Sequence, residues 1–141
     1  MRQVGVYALD QIEMDKWRFT LGGRQTWVEQ SRAQLLSSGS EGVKKDAFSV
    51  QAGALYLFDN GVAPFASYAT SFEPINNQSA SGGILKPQEG EQFELGVKYQ
   101  PPGTDILLSA VAYHLVEKNK PVVVNPGLGT YRSLGEVTSN G

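Results

Sequence analysis

Tyr56-Leu57-Phe58-Asp59-Asn60-Gly61-Val62-Ala63-Pro64-Phe65-Ala66-Ser67-Tyr68 is the stretch on which the reading of the fold turns. Asp59-Asn60-Gly61 is a strong hairpin turn, because Asn and Gly tolerate positive φ. Folding the chain about Asn60 sets Phe58 opposite Val62, Tyr56 opposite Pro64 and Ala54 opposite Ala66. Ala52 then meets Tyr68, and Phe48 meets Phe72. All of them land on one apolar face. Pro64 lacks a ladder donor and is expected at an edge, a bulge or a rim.

Outward from this hairpin the period stays at two, the signature of half-exposed strands. In the 17–30 segment, Trp17, Phe19, Leu21, Gly23 and Trp27 share one face, and Arg18, Thr20, Gly22, Arg24, Thr26 and Gln30 the other. Phe48, Val50, Ala52, Ala54, Tyr56 and Phe58 alternate with Ser49, Gln51, Gly53, Leu55 and Leu57. Phe93, Leu95, Val97 and Tyr99 alternate with Gln92, Glu94, Gly96 and Lys98. Leu107, Val111, Tyr113 and Leu115 share a face further on. The first strand, residues 3–14, has two possible registers. A two-residue turn at Asp15-Lys16 puts Val4, Val6, Ala8, Ile12 and Met14 outward together with Asp10. A shift of one puts Tyr7 and Leu9 outward instead.

The connections alternate. Asp15-Lys16, Asp59-Asn60-Gly61 and Pro101-Pro102-Gly103-Thr104 are short turns, and between them lie long polar loops at about 31–46, 73–90 and 117–134. Outer-membrane barrels have this rhythm, with short periplasmic turns and long extracellular loops. About 11 residues at ~3.3 Å each, tilted ~45°, span the apolar band of such a barrel. Trp17, Tyr56, Phe58 and Tyr99 near the turns, and Trp27, Phe48 and Phe72 near the loops, resemble two interfacial girdles.

Composition agrees. Of the 141 residues, 18% are charged, against about 25% in ordinary soluble domains. Sixteen glycines and seven prolines point to many short strands. A net charge of −2 offers no footprint for nucleic acid. Without cysteine there is no disulfide scaffold and no thiolate metal site. No apolar run is long enough for a transmembrane helix. Met1-Arg2 leads straight into strand-like sequence with no signal peptide, and Gly135-Glu136-Val137-Thr138 reads as a strand just beginning, so the chain is expected to be a piece of a longer protein.

Several stretches carry a family resemblance. Gly5-Val6-Tyr7-Ala8-Leu9-Asp10-Gln11 with Thr20-Leu21-Gly22-Gly23-Arg24 resembles paired barrel strands of TonB-dependent ferric-siderophore receptors. The 56–68 hairpin, Ser71-Phe72-Glu73-Pro74, Leu85-Lys86-Pro87, the 90–99 segment and the 112–119 segment continue the likeness in order. The likeness is closest to the ferrichrome-type hydroxamate branch. It implies an all-β, antiparallel up-and-down meander of six to seven strands, a partial segment (residues 1–141) of a 22-stranded transmembrane β-barrel. The plug domain and TonB box of such receptors are expected to lie outside this chain. The implied role is uptake of ferric siderophore across the Gram-negative outer membrane, energised by TonB, with the lipid bilayer around the barrel. No bond is made or broken, so no enzyme is implied. No cofactor is implied either, because the siderophore carries the iron.

Candidate site residues are few. Trp27, Phe72 and Tyr131 are the loop-side aromatics that could contact a siderophore, although membrane girdle or loop packing is the favoured reading of them. Arg18, Arg24, Glu94 and Lys98 are expected to line the lumen. His114, the only histidine, excludes a two-histidine metal motif and is expected to face the lumen or a neighbouring strand. Asp10, Glu13 and Asp15 read as a solvated turn. Gly127-Leu128-Gly129 lacks dinucleotide-fingerprint spacing, and Gly22-Gly23-Arg24 reads as a strand kink. A small soluble barrel of the lipocalin type, a porin or an adhesin are the alternatives.

Overall fold

The computed structural model of the chain describes residues 2–33, 40–75, 85–127, 130–133 and 135–141. Its strands are β1 (Arg2–Met14), β2 (Trp17–Ala33), β3 (Ser40–Tyr56), β4 (Val62–Glu73), β5 (Gln88–Tyr99), β6 (Leu108–Lys118), β7 (Pro121–Asn125), β8 (Thr130–Ser133) and β9 (Glu136–Asn140). Among the described residues there is no helix. One sheet runs β1-β2-β3-β4-β5-β6-β9, antiparallel throughout, and β7 and β8 form a separate hairpin. This is the expected antiparallel meander.

Turn chemistry sets the registers. Met14 pairs with Trp17 across Asp15-Lys16, with Asp15 at φ 52°. That selects the two-residue turn, so Val4, Val6 and Ile12 share a face with Trp27 and Phe19. Asp10 lies with them, opposite Leu21. At the second turn the Gly61 N–H bonds the Phe58 carbonyl at 3.1 Å and Gly61 sits at φ 86°. A three-residue loop of this kind is a type I turn closed by a left-handed glycine. Ala54↔Ala66 and Ala52↔Tyr68 follow, as folding about Asn60 requires. At the third turn Thr104 N–H bonds the Pro101 carbonyl at 3.2 Å with Gly103 at φ 76°. Proline then glycine at the two central positions is the type II arrangement.

Direct cross-strand partners share a face, so the ladders carry one mainly apolar face from β1 to β5. Leu21, Ala52, Tyr68 and Phe93 lie in one row of it, and Phe19, Val50, Leu95 and Val97 belong to the same side. This face is the more exposed one. Along β5, Phe93, Leu95 and Val97 are exposed while Gln92, Glu94 and Gly96 are half-buried. Curvature crowds side chains on the inside of a bend and splays them on the outside, so the apolar face is the outer one. Phe48 is 65% and Leu95 57% exposed. Among the described residues the buried apolar side chains are Val28, Ala63, Ile75 and Leu85, and none is fully enclosed. Leu21, Leu95 and Val97 therefore do not converge on a dry interior, which a lipocalin-type barrel needs.

Two expectations change. Strands β2 and β3 are 17 residues each, longer than an apolar band requires. They extend because pairing continues through polar partners, including an ion pair between Lys44 and Glu29 at 3.3 Å. The 31–46 loop contracts accordingly, and 34–39 lie outside the described residues, as do 76–84 of the 73–90 loop. The 117–134 loop holds the β7/β8 hairpin, because Pro121-Val122-Val123 pairs with Tyr131-Arg132-Ser133. On β6, Val111, Tyr113 and Leu115 share a face as expected, and Tyr99↔Leu108 places Ala110, Ala112 and His114 on the outer one. Val111, Tyr113 and Leu115 turn inward, opposite Gly96, Glu94 and Gln92. Pro64 sits within β4, paired to Val97 of β5, at the point where the β3–β4 ladder stops.

Candidate functional site

Several polar side chains meet on the inner face. Arg18, Arg24, Glu94 and Lys98 all lie on it, at alternate positions from the apolar set. Arg24 crosses toward β1. A side chain at Gly5 would meet its Nε and Nη2 at 3.1 Å, so glycine there lets the guanidinium lie against the strand. Its Nε donates to Thr26 Oγ1 at 3.2 Å. Gly22 performs a similar task, since a Cβ would come within 2.8 Å of Gln51 Cγ. The result is a groove of about 550 Å³ bordered by Tyr7, Leu9, Arg24, Thr26, Gln51 and Ser71.

A second cluster follows along β4 and β5. Glu94 accepts from Gln92 Nε2 at 2.6 Å and from Ser67 Oγ at 3.2 Å. Lys98 Nζ stands 5.3 Å from the centre of the Phe65 ring, a cation–π distance. That ring lies over Gly96, where any Cβ would strike it. Arg18 belongs to the turn end instead, bonding the Asp15 and Trp17 carbonyls at 2.8 and 2.9 Å and facing Glu13 at 3.4 Å.

Asp10 and Glu13 fall on opposite faces of β1 and cannot act as a pair. His114 faces outward, and its Nδ1 lies 2.5 Å from Asn140 Oδ1 on β9. Of its two expected surroundings, the structure selects the neighbouring strand. No group of three potential metal ligands occurs among the described residues. Leu128 and Gly129 of the glycine motif lie outside them.

The three loop-side aromatics are not brought together. Trp27 lies on the outer face between Val4 and Asp46. Phe72, on β4, borders cavities on both sides of the sheet. Tyr131 sits on the separate hairpin opposite Val123. Sequence reasoning missed Tyr7, Gln51 and Ser71 as groove residues; the Gly22-Gly23-Arg24 run marked the place without naming them. At the turn end the outer face carries a chain of rings. Phe19 stacks on Trp17 at 5.5 Å, Trp17 meets Tyr56 edge-on at 4.9 Å, and Tyr56 meets Phe58 at 4.7 Å. Below them Lys16 pairs with Asp59, tying the first turn to the second, and that hydrogen bond raises the lysine above its usual range.

The family model described as TonB dependent receptor-like, beta-barrel matches residues 1–141. The ferrioxamine B receptor of Salmonella typhimurium strain SL1344 is 43% identical over the whole chain, which spans 20% of that receptor. The ferrichrome outer membrane transporter/phage receptor of Escherichia coli K12 is 37% identical, with 99% of this chain and 19% of that protein covered. Among solved structures, FpvA of P. aeruginosa bound to heterologous pyoverdines superposes with a TM-score of 0.72 at 22% identity, covering 98% of this chain and 19% of that one. The alcaligin receptor FauA of Bordetella pertussis gives 0.69 at 23% identity, covering 98% of this chain and 26% of the other. The chain thus spans about a fifth of the length of the curated relatives it matches.

Proposed function

Because this chain belongs to the TonB dependent receptor-like, beta-barrel family, we propose that it forms part of the wall of an outer-membrane receptor that takes up a ferric hydroxamate siderophore. The observation that carries this reading is the outward apolar face. Along β2 to β5, Leu21, Phe48, Phe93, Leu95 and Val97 stand exposed on the convex side of an antiparallel sheet, while Arg18, Arg24, Glu94 and Lys98 occupy the concave side. In water that arrangement costs free energy at every exposed ring and branch. In a bilayer it is the stable one, because hydrocarbon solvates the outside and the lumen stays polar.

The relatives, whose names specify ferrioxamine B and ferrichrome, support this substrate class. TonB would supply the energy through a plug domain outside this chain, and the siderophore would carry the iron, so the wall performs no chemistry of its own. Its share of the work is to enclose the path and present the inner groove beside Arg24.

The test uses the full-length receptor that contains this segment, expressed in a bacterium stripped of its own hydroxamate receptors. Ferrioxamine B or ferrichrome as sole iron source should restore growth when TonB is functional and not when it is deleted. Growth on neither compound, with the receptor present in the outer membrane, would remove the hydroxamate reading.

A further inference from the structure

The inner groove differs from the rest of its face in charge. Its borders carry one cation, Arg24, among uncharged hydrogen-bonding side chains such as Tyr7, Thr26, Ser49, Gln51 and Ser71, and no carboxylate. Scarcity does not explain this, since the chain has 14 acidic residues. Inner-face carboxylates are engaged elsewhere. Glu13 faces Arg18, Glu94 accepts from Gln92 and Ser67, and Glu117 accepts from Gln88 and Lys120. Arg24 itself pairs with no carboxylate among the described residues. Its Nε is taken by Thr26 Oγ1, which leaves both Nη groups for a ligand.

Glycines shape this wall. The guanidinium lies against Gly5, the Gln51 side chain lies over Gly22, and a Cβ on Gly90 would strike the Ser71 hydroxyl. In each case the missing Cβ lets a polar group lie against the strands, so the groove stays open while its donors line it. Such a set complements an oxygen-rich ligand that is neutral or anionic. A guanidinium gives charge-assisted hydrogen bonds to several oxygens at once, whereas a second cation beside it is repelled. The volume of about 550 Å³ lies within the span of small-molecule sites, roughly 300–1,000 Å³.

We propose that the inner groove is a contact site in the lumen for ferric hydroxamates whose complex is uncharged or anionic, with Arg24 donating to the oxygens around the iron and disfavouring a cargo that carries an ammonium group. This rests on the uptake reading above. Hydroxamate oxygens bound to iron retain partial negative charge even where the complex as a whole is neutral, so they accept from the guanidinium, Gln51 and Ser71. An ammonium entering the same groove meets Arg24 with no carboxylate on the borders to offset it. Specificity is a difference between two affinities, and repulsion of the wrong cargo contributes to it as attraction of the right one does.

Ferrichrome forms an uncharged ferric complex and ferrioxamine B keeps an ammonium group, so the two together read the charge of the groove. Uptake of each, labelled with radioactive iron, is compared in cells carrying the full-length receptor, with its abundance in the outer membrane measured alongside. Arg24→Glu should raise the ratio of ferrioxamine B to ferrichrome uptake about tenfold, and Arg24→Gln about threefold. Arg18→Gln, at the turn end beside Glu13, should leave the ratio unchanged. Gly5→Ala, which displaces the guanidinium and keeps its charge, should slow ferrichrome uptake severalfold with Arg24 present and no further once Arg24 is glutamine. Titration of the purified receptor in micelles should show the same order of preference, weakening as salt is raised. A ratio unmoved by Arg24→Glu at unchanged receptor abundance would overturn the site. Uptake of neither complex, with a preference in micelles that Arg24→Glu still reverses, would uphold the site and sink the transport reading. Binding of neither complex would end both.

Discussion

Gly61 shows how much a single residue carries in this sheet. It holds φ 86°, a region that side chains enter only at a cost. Its carbonyl accepts from Gln100 N–H at 2.9 Å, so the second and third turns meet through it. A Cβ there would collide with the Gln100 carbonyl. Gly103 has a similar φ of 76° but open space around it. Gly61→Val in the full-length receptor should therefore lose about 1–3 kcal/mol, and Gly103→Ala less. The temperature at which the folded band disappears in semi-native electrophoresis measures both. Equal shifts for the two would mean that the contact with Gln100 contributes nothing.

At the scale of the strand, alternation decides what each substitution meets. On β5, Leu95 points out and Gln92 points in beside Glu94. An arginine on a lipid-facing strand position near the midplane costs about 2–4 kcal/mol, whereas lumen positions accept charge. Leu95→Arg should reduce the folded receptor recovered from the outer membrane, and Gln92→Arg should leave it near the unsubstituted level. Indifference to Leu95→Arg would place that face in water. The same alternation explains the aromatic chain from Phe19 to Phe58. Its rings recur on one face at the turn end because i and i+2 share a side and paired strands bring those sides together.

For the molecule as a whole, the sheet ends on β1 at one side and β9 at the other. Both edges leave rows of unpaired backbone groups, and such edges recruit further strands. Within a complete barrel the neighbouring strands would occupy them. Produced alone, residues 1–141 should associate through these edges, giving oligomers or aggregates in light scattering after refolding. A stable, monodisperse monomer in water without detergent would contradict both the open edges and the outward apolar face.

Much of this architecture was legible in the residues. Alternation of period two marks strands because a pleated backbone sends successive side chains to opposite sides, and that is local. The Asp59-Asn60-Gly61 turn sets the β3–β4 register because a hairpin loop of given length leaves one alignment. The opposite faces of Glu94 and Leu95 follow for the same reason. What needed the tertiary structure was every choice made between strands distant in the chain. The two registers of β1 were equally compatible with its pattern until β2 was laid beside it. The side on which His114 falls depended on where β5 and β6 meet across the Pro101–Thr104 turn. The β7/β8 pairing inside an apparent loop, and the break in the β3–β4 ladder at Val50 and Thr70, arise from competition among neighbours for the same backbone donors. A single strand's sequence states which side chains alternate, but only the neighbours' geometry decides which N–H finds a partner and which is left to a threonine hydroxyl.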